Sequence, residues 1–378
     1  MRRLFLADLD KALKEAANAK ASDLHLAPGE PFVLRQFGRL RKLQGTPLTC
    51  EKCEQLIYDL LGKDQKETLD KQLQLDFAYE IPGVARFRGS AMRHQAGLSA
   101  SFRIIPFEIP TFEKLGLPNT VKKIMDNHQG LVLVTGATGQ GKSTTLAAMV
   151  DYLNTNRAHH IITVEDPIEF IHPLKRCAVN QRQLGRDTRT YANALRGALR
   201  QDPDVIVVGE LRDLETVSLA ISAAETGHLV IGTLATSSAP KTVDRIIDSF
   251  PSEEQGQIRA MVAESLKAVI TQRLIPCADL TGMALAMEIL IGTLSMANLI
   301  RDGKVFQIPS MMQMGKAAGM QLMDESIMSL LIAQTISAQE AHLNANNKTL
   351  FKPLAEKESQ PKADFDQHRQ GAQRHGQD

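Results

Sequence analysis

The segment Gly136-Ala137-Thr138-Gly139-Gln140-Gly141-Lys142-Ser143, with Thr144 next in line, has the residue types and spacing of a phosphate cradle, G-x-x-x-x-G-K-[ST]. Glycines let successive backbone N–H groups turn inward around a β-phosphate, and a helix that follows adds the partial positive charge of its N-terminus. Lys142 then reaches the β- and γ-oxygens, and the Ser143 hydroxyl is an oxygen ligand for Mg²⁺. Hydrolysing a nucleotide also takes carboxylates that hold the metal and orient water. Two candidates each follow a short apolar run: Glu165-Asp166-Pro167-Ile168-Glu169, and Glu210. An acidic residue there is also an ordinary first-turn helix charge. Two of them downstream of a complete phosphate loop favour the metal and water roles. His228 opens a further apolar run and is a candidate γ-phosphate sensor; taken alone it reads as a structural histidine.

The elements that must position these groups are legible as short runs of aliphatics alternating with helical patterns. Leu131–Val134 precedes the loop, and Leu146, Met149, Val150 and Leu153 mark one face of the helix after it. Further apolar strands are expected at His160–Val164, Val205–Val208, Leu229–Leu234 and Ala284–Ile291. Strands buried on both faces have this composition, so the expected architecture is α/β with a largely parallel sheet covered by helices. The carboxylates then lie at strand ends, where open α/β sheets bind ligands.

The first 105 residues read differently. Leu6, Leu9, Leu13 and Ala16 have helical spacing, Ser22–Leu26 is a short strand, Phe32–Leu43 a strand pair and Glu51–Leu61 a helix. Three extended stretches follow at Phe77–Tyr79, Ala85–Ala91 and Leu98–Ile105. Strands and helices without strict alternation indicate an α+β domain. The expected organisation is therefore an N-terminal domain over 1–105, a proline-bearing linker over 106–114, an ATPase-type domain over 115–343 and a disordered polar tail over 344–378.

Composition excludes several classes. Among 378 residues, 44 Lys and Arg nearly balance 43 Asp and Glu, and aromatics are 4% without Trp. A protein whose main affinity is for nucleic acid carries a cationic excess or stacking platforms, so no nucleic-acid partner is expected. The four cysteines are too few for a disulfide scaffold; Cys53 falls in register with Leu56, Ile57, Leu60 and Leu61 and reads as core. Met1–Leu6 begins like a leader, but Asp8, Asp10 and Lys11 interrupt it, and no run of about 18 apolar residues occurs. Any membrane association is expected to pass through a partner.

The phosphate loop, Glu165–Glu169, Gly209-Glu210-Leu211-Arg212-Asp213-Leu214-Glu215-Thr216 and Ala224-Glu225-Thr226-Gly227-His228-Leu229 together resemble the secretion-superfamily hexameric ATPases. Within them the chain is similar to the PilT-type retraction ATPases of type IV pili; Ser22–Leu26 and Gly319-Met320 also fit, and the resemblance spans about residues 6 to 340. It implies a PAS-like N-terminal domain, a RecA-like ATPase domain, a homo-hexameric ring, ATP and Mg²⁺ as ligands, and a cytoplasmic location at the inner membrane through a platform protein. A paralogous retraction ATPase is a further candidate partner. By the same resemblance Glu169 polarises the attacking water, Glu210 holds Mg²⁺ through water, His228 is the first histidine of a His box, and Arg88 and Arg103 close over the phosphates.

Two positions depart from the family pattern. Ala235, in Gly232-Thr233-Leu234-Ala235-Thr236, replaces a second His-box histidine, and Ala297 replaces the first arginine of a retraction-associated segment that otherwise retains Asn298-Leu299-Ile300-Arg301. Losing one preorganised donor costs on the order of 10²-fold in turnover, so Ala235 makes a weakly active accessory ATPase subunit the alternative to a full retraction motor. An assembly ATPase usually carries a paired Cys-x-x-Cys insertion in its C-terminal domain, where this chain has only the single Cys177 and Cys277. A nucleic-acid translocase would be stimulated by single-stranded DNA. The site assignment itself predicts that Lys142→Ala abolishes ATP turnover and that Glu169→Gln keeps ATP binding while blocking hydrolysis; near-normal turnover in both variants refutes it.

Overall fold

The computed structural model describes residues 2–359. Six strands, Asp23–Leu26 (β1), Val33–Gln36 (β2), Arg39–Lys42 (β3), Gln74–Ile81 (β4), Ala85–His94 (β5) and Gly97–Ile105 (β6), form an antiparallel sheet in the order β3-β2-β1-β6-β5-β4. Side chains alternate between the faces of a strand, and this sheet uses its two faces for different purposes. Leu24, Leu26, Phe87 and Phe102 face a core completed by Leu9 and Leu13 of the helix Arg2–Asn18 and by Cys53, Leu56 and Ile57 of the helix Cys50–Leu60. Each fully buried large apolar side chain there contributes about 1.5–3 kcal/mol relative to exposure. The other face collects charge: the register pairs Arg88 with Arg103, Arg103 with Asp23, and Asp23 with Arg35.

After β6 the chain is irregular through Thr111, whose hydroxyl caps the one-turn helix Phe112–Leu115. The second unit follows, a seven-stranded sheet of Gly130–Thr135 (β7), His160–Glu165 (β8), Ala178–Gln183 (β9), Val205–Val208 (β10), Leu229–Leu234 (β11), Leu266–Pro276 (β12) and Met283–Ile291 (β13), ordered β13-β12-β7-β11-β10-β8-β9. Only the β12–β13 pair is antiparallel; every other neighbour is parallel. The mainly parallel sheet is the expected one. Its carboxyl ends share one edge, so the loops after β7, β8, β10 and β11 converge.

Two strands carry no clear sequence signal. β9, Ala-Val-Asn-Gln-Arg-Gln, is an edge strand with a single interior aliphatic. β12 sits beside β7 in the middle of the sheet, yet it begins at Leu266 directly where the helix Gln255–Ser265 ends, with no glycine or proline between them. Its Thr271-Gln272-Arg273 stretch also breaks the aliphatic run.

The expected tail is corrected. From Asn344 the chain does not leave the fold: residues Lys348–Ser359 form a helix, and Phe351 is fully buried against Ile275, Met323, Ile327, Ile336 and Ala341. The Asp324 carboxylate accepts from the backbone N–H groups of Asn346 and Asn347 at 2.7 and 2.8 Å, fixing the entry to that helix. A polar composition hid one anchoring aromatic. The remainder of the expected tail, 360–378, lies outside the described residues. Phe351→Ala should cost the C-terminal unit about 3–5 kcal/mol, the usual penalty for emptying a buried aromatic site, as read by urea unfolding. A change within about 0.5 kcal/mol, as for a surface residue, would show the segment to be undocked.

Candidate active site

The loop after β7 is shaped by three glycines with left-handed backbone, Gly136 at φ 143°, Gly139 at φ 82° and Gly141 at φ 81°. At Gly136 the requirement is also steric, because a Cβ would stand 2.7 Å from the carbonyl oxygen of Gln272. β12 backs the loop through two further contacts: the Leu274 N–H donates to Gln140 Oε1, and Gln272 Nε2 donates to Thr145 Oγ1 at 2.7 Å. The helix Lys142–Asn156 starts immediately after Gly141, so its N-terminal N–H groups face the loop. Lys142 Nζ donates to the carbonyls of Gly136 at 2.7 Å and Ala137 at 3.0 Å, which holds the ammonium inside its own loop. Burial depresses the Lys142 pKa, and the nearby Glu210 carboxylate opposes that.

A cleft of about 1140 Å³ separates the two sheets, and both of them line it. Residues 138–144 form its floor, with Glu165, Glu169 and Glu210 beside them and Arg88 and Arg103 on the facing N-terminal sheet. Thus the loop, two expected carboxylates and both expected arginines meet in one place. The arginines are held by their own sheet, Arg103 Nε on Asp23 Oδ1 at 3.1 Å and Arg88 Nη2 near Asp76 Oδ2 at 3.6 Å. β9 positions the acidic segment from below: Gln181 Nε2 donates to Glu165 Oε1 at 3.0 Å and to the Phe170 carbonyl at 2.9 Å, and Gln183 Oε1 accepts from the Ile168 N–H at 3.3 Å. Burial raises the Glu165 pKa, against hydrogen bonds from Thr163 and Gln181. Glu210 is engaged by Arg212 at 2.7 and 2.6 Å.

His228 is not part of this cleft. The ladder pairs Leu229 with Gly130 and Leu234 with Thr135, so the residue opening β11 lies at the amino edge of the sheet while the phosphate loop closes the carboxyl edge. Six residues at about 3.3 Å each separate the two by roughly 20 Å. His228 instead lines a second cleft of about 310 Å³ with His128, His159, Asp202 and Asp204, and its Nδ1 lies 3.0 Å from the Ala223 carbonyl. Ala235 follows the carboxyl end of β11 and exposes its methyl group, while Thr233 is the β11 residue that lines the cleft.

Two further histidines line the cleft, His25 within the Ser22–Leu26 segment and His172 outside any motif. His25 Nε2 and His172 Nδ1 are buried without a hydrogen-bond partner, and burial lowers both imidazole pKa values, that of His172 to about 4. For a metal, the Ser143 hydroxyl and Glu210 carboxylate line the same cleft. No three His, Cys, Asp or Glu groups converge among the described residues as a closed protein cage. Few protein oxygens beside a phosphate loop suit a hard cation that keeps waters and phosphate oxygens as ligands.

The His172 environment gives a pH prediction. A neutral folded imidazole with a pKa near 4 takes up its proton later than the unfolded one at 6.5. Stability from this group is therefore complete above pH 6.5 and falls toward pH 4, by at most about 1.4 kcal/mol per pH unit. His172→Gln should flatten the decline in urea-unfolding free energy between pH 6.5 and 4.5; an unchanged slope would remove His172 as its source.

Known proteins resemble the chain along most of its length. Residues 3–349 match the family model described as "Type II/IV secretion system protein". The type IV pilus retraction ATPase PilT of Pseudomonas aeruginosa is 49% identical over 89% of this chain and 98% of that protein. A twitching motility protein of Neisseria gonorrhoeae is 46% identical over 83% of this chain and 84% of its own length. The crystal structure of the pilus retraction motor PilT with bound ADP superposes with a TM-score of 0.80 at 43% identity, covering 91% of this chain and 98% of that one. A glycine-shaped phosphate loop on a mainly parallel sheet, an arginine-bearing antiparallel sheet across the cleft, and likeness over nearly the whole length lead to one conclusion: the chain belongs to the type II/IV secretion system protein family.

Proposed function

We propose that the chain is an ATPase whose hydrolysis cycle drives type IV pilus retraction. The observation that carries this reading is the cleft itself, where a complete phosphate loop and two carboxylates on one sheet face two arginines on another. The loop N–H groups and Lys142 bind the β- and γ-phosphates of ATP, and Ser143 with Glu210 are the groups that would hold Mg²⁺. A bound Mg²⁺ would supply charge neutralisation for the phosphate oxygens. Glu169, beside the loop, orients the attacking water, and Thr144 and the backbone of Gly136–Gly141 complete the cradle. Arg88 and Arg103 turn from their aspartate pairings to phosphate oxygens as the N-terminal sheet closes; the Arg88–Asp76 pair is exposed and worth about 0–1 kcal/mol, whereas Asp23 is buried and its pairing with Arg103 costs more to break. Loss of the γ-phosphate releases that closure, and a ring of six such hinges converts the release into movement.

The work is passed to an inner-membrane platform protein, and a paralogous ATPase is a candidate companion in the ring. No helix among the described residues is long and apolar enough to cross a membrane, in keeping with a location set by a partner. The 49% identity to a retraction ATPase along 98% of its length supports the direction of force. One observation favours the alternative, a weakly hydrolysing accessory subunit: Ala235, exposed just past the carboxyl end of β11, has no side-chain donor to offer.

Two measurements decide between them. Steady-state ATPase of the purified protein should be Mg²⁺-dependent, and Ala235→His should change it by no more than a few-fold if the chain is a complete motor. Parent turnover about 10²-fold below that of the variant, the worth of one preorganised donor, would establish the accessory role. A deletion strain should carry surplus surface pili that fail to retract; normal retraction would overturn the motor reading.

A further inference from the structure

Glu210 is held by a residue that has no assigned part in the reaction. Arg212 directs two donors at one oxygen of that carboxylate, Nε at 2.7 Å and Nη2 at 2.6 Å from Oε2, while Oε1 makes no hydrogen bond to the described protein. The backbone beneath the pair is fixed. The Gly209 N–H donates to the Val164 carbonyl at 2.7 Å, the Leu211 N–H donates to the Thr233 carbonyl at 2.9 Å, and Asp213 caps the helix Leu214–Glu225 through the Thr216 N–H at 2.8 Å. Leu211 is buried. With both flanking residues anchored, the remaining freedom lies in the Glu210 and Arg212 side chains, which are 30% and 62% exposed. A carboxylate on a mobile side chain would sample several rotamers. The two-donor grip on Oε2 selects one of them and leaves the other oxygen available.

We propose that Arg212 is a positioning residue for Glu210, fixing its carboxylate so that Oε1 is ready for the hydrated cation that accompanies a nucleotide. This rests on the nucleotide-hydrolysing reading of the cleft. Partners that orient metal-binding groups from behind typically change metal affinity or activity by about 10–100-fold when removed. Arginine suits the task because its planar fork presents two donors in a fixed relation, which lysine cannot do.

The test uses the full chain and a fluorescent probe, N-methylanthraniloyl-ADP, titrated in excess MgCl₂ and again in EDTA. The readout is the ratio of the two dissociation constants, the gain in nucleotide affinity that Mg²⁺ confers. In Arg212→Ala the ratio should fall about tenfold, with the EDTA value within about twofold of the parent. In Arg212→Lys, which keeps the charge but loses the fork, it should fall to an intermediate level. A merely structural role would weaken binding equally with and without the metal, and that outcome overturns the proposal, as does an unchanged or increased ratio in either variant. Should Arg212→Ala fail to fold, Arg212→Lys decides alone. A parent protein that binds the probe without any gain from Mg²⁺ would instead undermine the function proposed above, independently of Arg212.

Discussion

The two parallel ladders that flank β7 are the constraint on which the rest of the structure depends. β11 pairs with β7 from Gly130 to Thr135, and β12 pairs with it up to Thr135 through Thr271, their buried hydroxyls 2.8 Å apart. This fixes where β7 stops and therefore where the phosphate loop begins. β12 continues past that point, and its Gln272 and Leu274 reach around to hold the loop and the start of its helix. The cradle is thus shaped before any phosphate enters it. Preorganisation of this kind lowers the ordering cost that binding would otherwise bear.

The same strand connects the loop to the far end of the chain. Alternation along β12 turns Gln272 and Leu274 toward the loop and Arg273 toward the opposite face, where its guanidinium meets the Asn344 carbonyl and Asn346 Oδ1. That is the segment Asp324 caps and Phe351 anchors. The segment that leads into the C-terminal helix therefore sits against the back of the strand that supports the nucleotide loop, an unexpected place for a stretch of polar composition. In the N-terminal unit alternation does comparable work. An antiparallel sheet with one apolar face and one charged face turns its core toward its own helices and its arginines toward the neighbouring unit.

Charge in the cleft is balanced before a ligand arrives: Glu210 by Arg212, Arg103 by Asp23, Lys142 by loop carbonyls. Those balances differ in strength. The exposed Arg88–Asp76 pair is weak, the Arg103 pair is stronger because its Asp23 partner is buried, and Lys142 is drawn into a half-buried loop whose desolvation favours its neutral form. A triphosphate would supply the lysine with a counter-charge, whereas closing Arg103 onto it would require giving up the buried Asp23 carboxylate. That difference gives a physical reason for the loop to bind first and the arginine face to close second in the proposed cycle.

The phosphate loop, the strand before it and the helix after it were legible because their signal is local: spacing of glycines, a run of aliphatics, an apolar helical face. The charged residues of the N-terminal sheet were equally visible as residues, but only pairing three strands in register brought Asp23, Arg88 and Arg103 to one wall. β9 and β12 escaped notice because their polar residues, Gln181, Gln183 and Gln272, are spent on holding backbone and side chains from other elements, which no local pattern announces. His228 shows the limit most plainly. Chain order places it next to a strand of the site, while parallel pairing sends the two ends of that strand to opposite edges, since strand direction, not sequence proximity, decides what meets at a carboxyl edge. The amino-acid sequence thus determined the chemistry available and the elements that bear it; the sheet's direction and register determined which of those groups face one another.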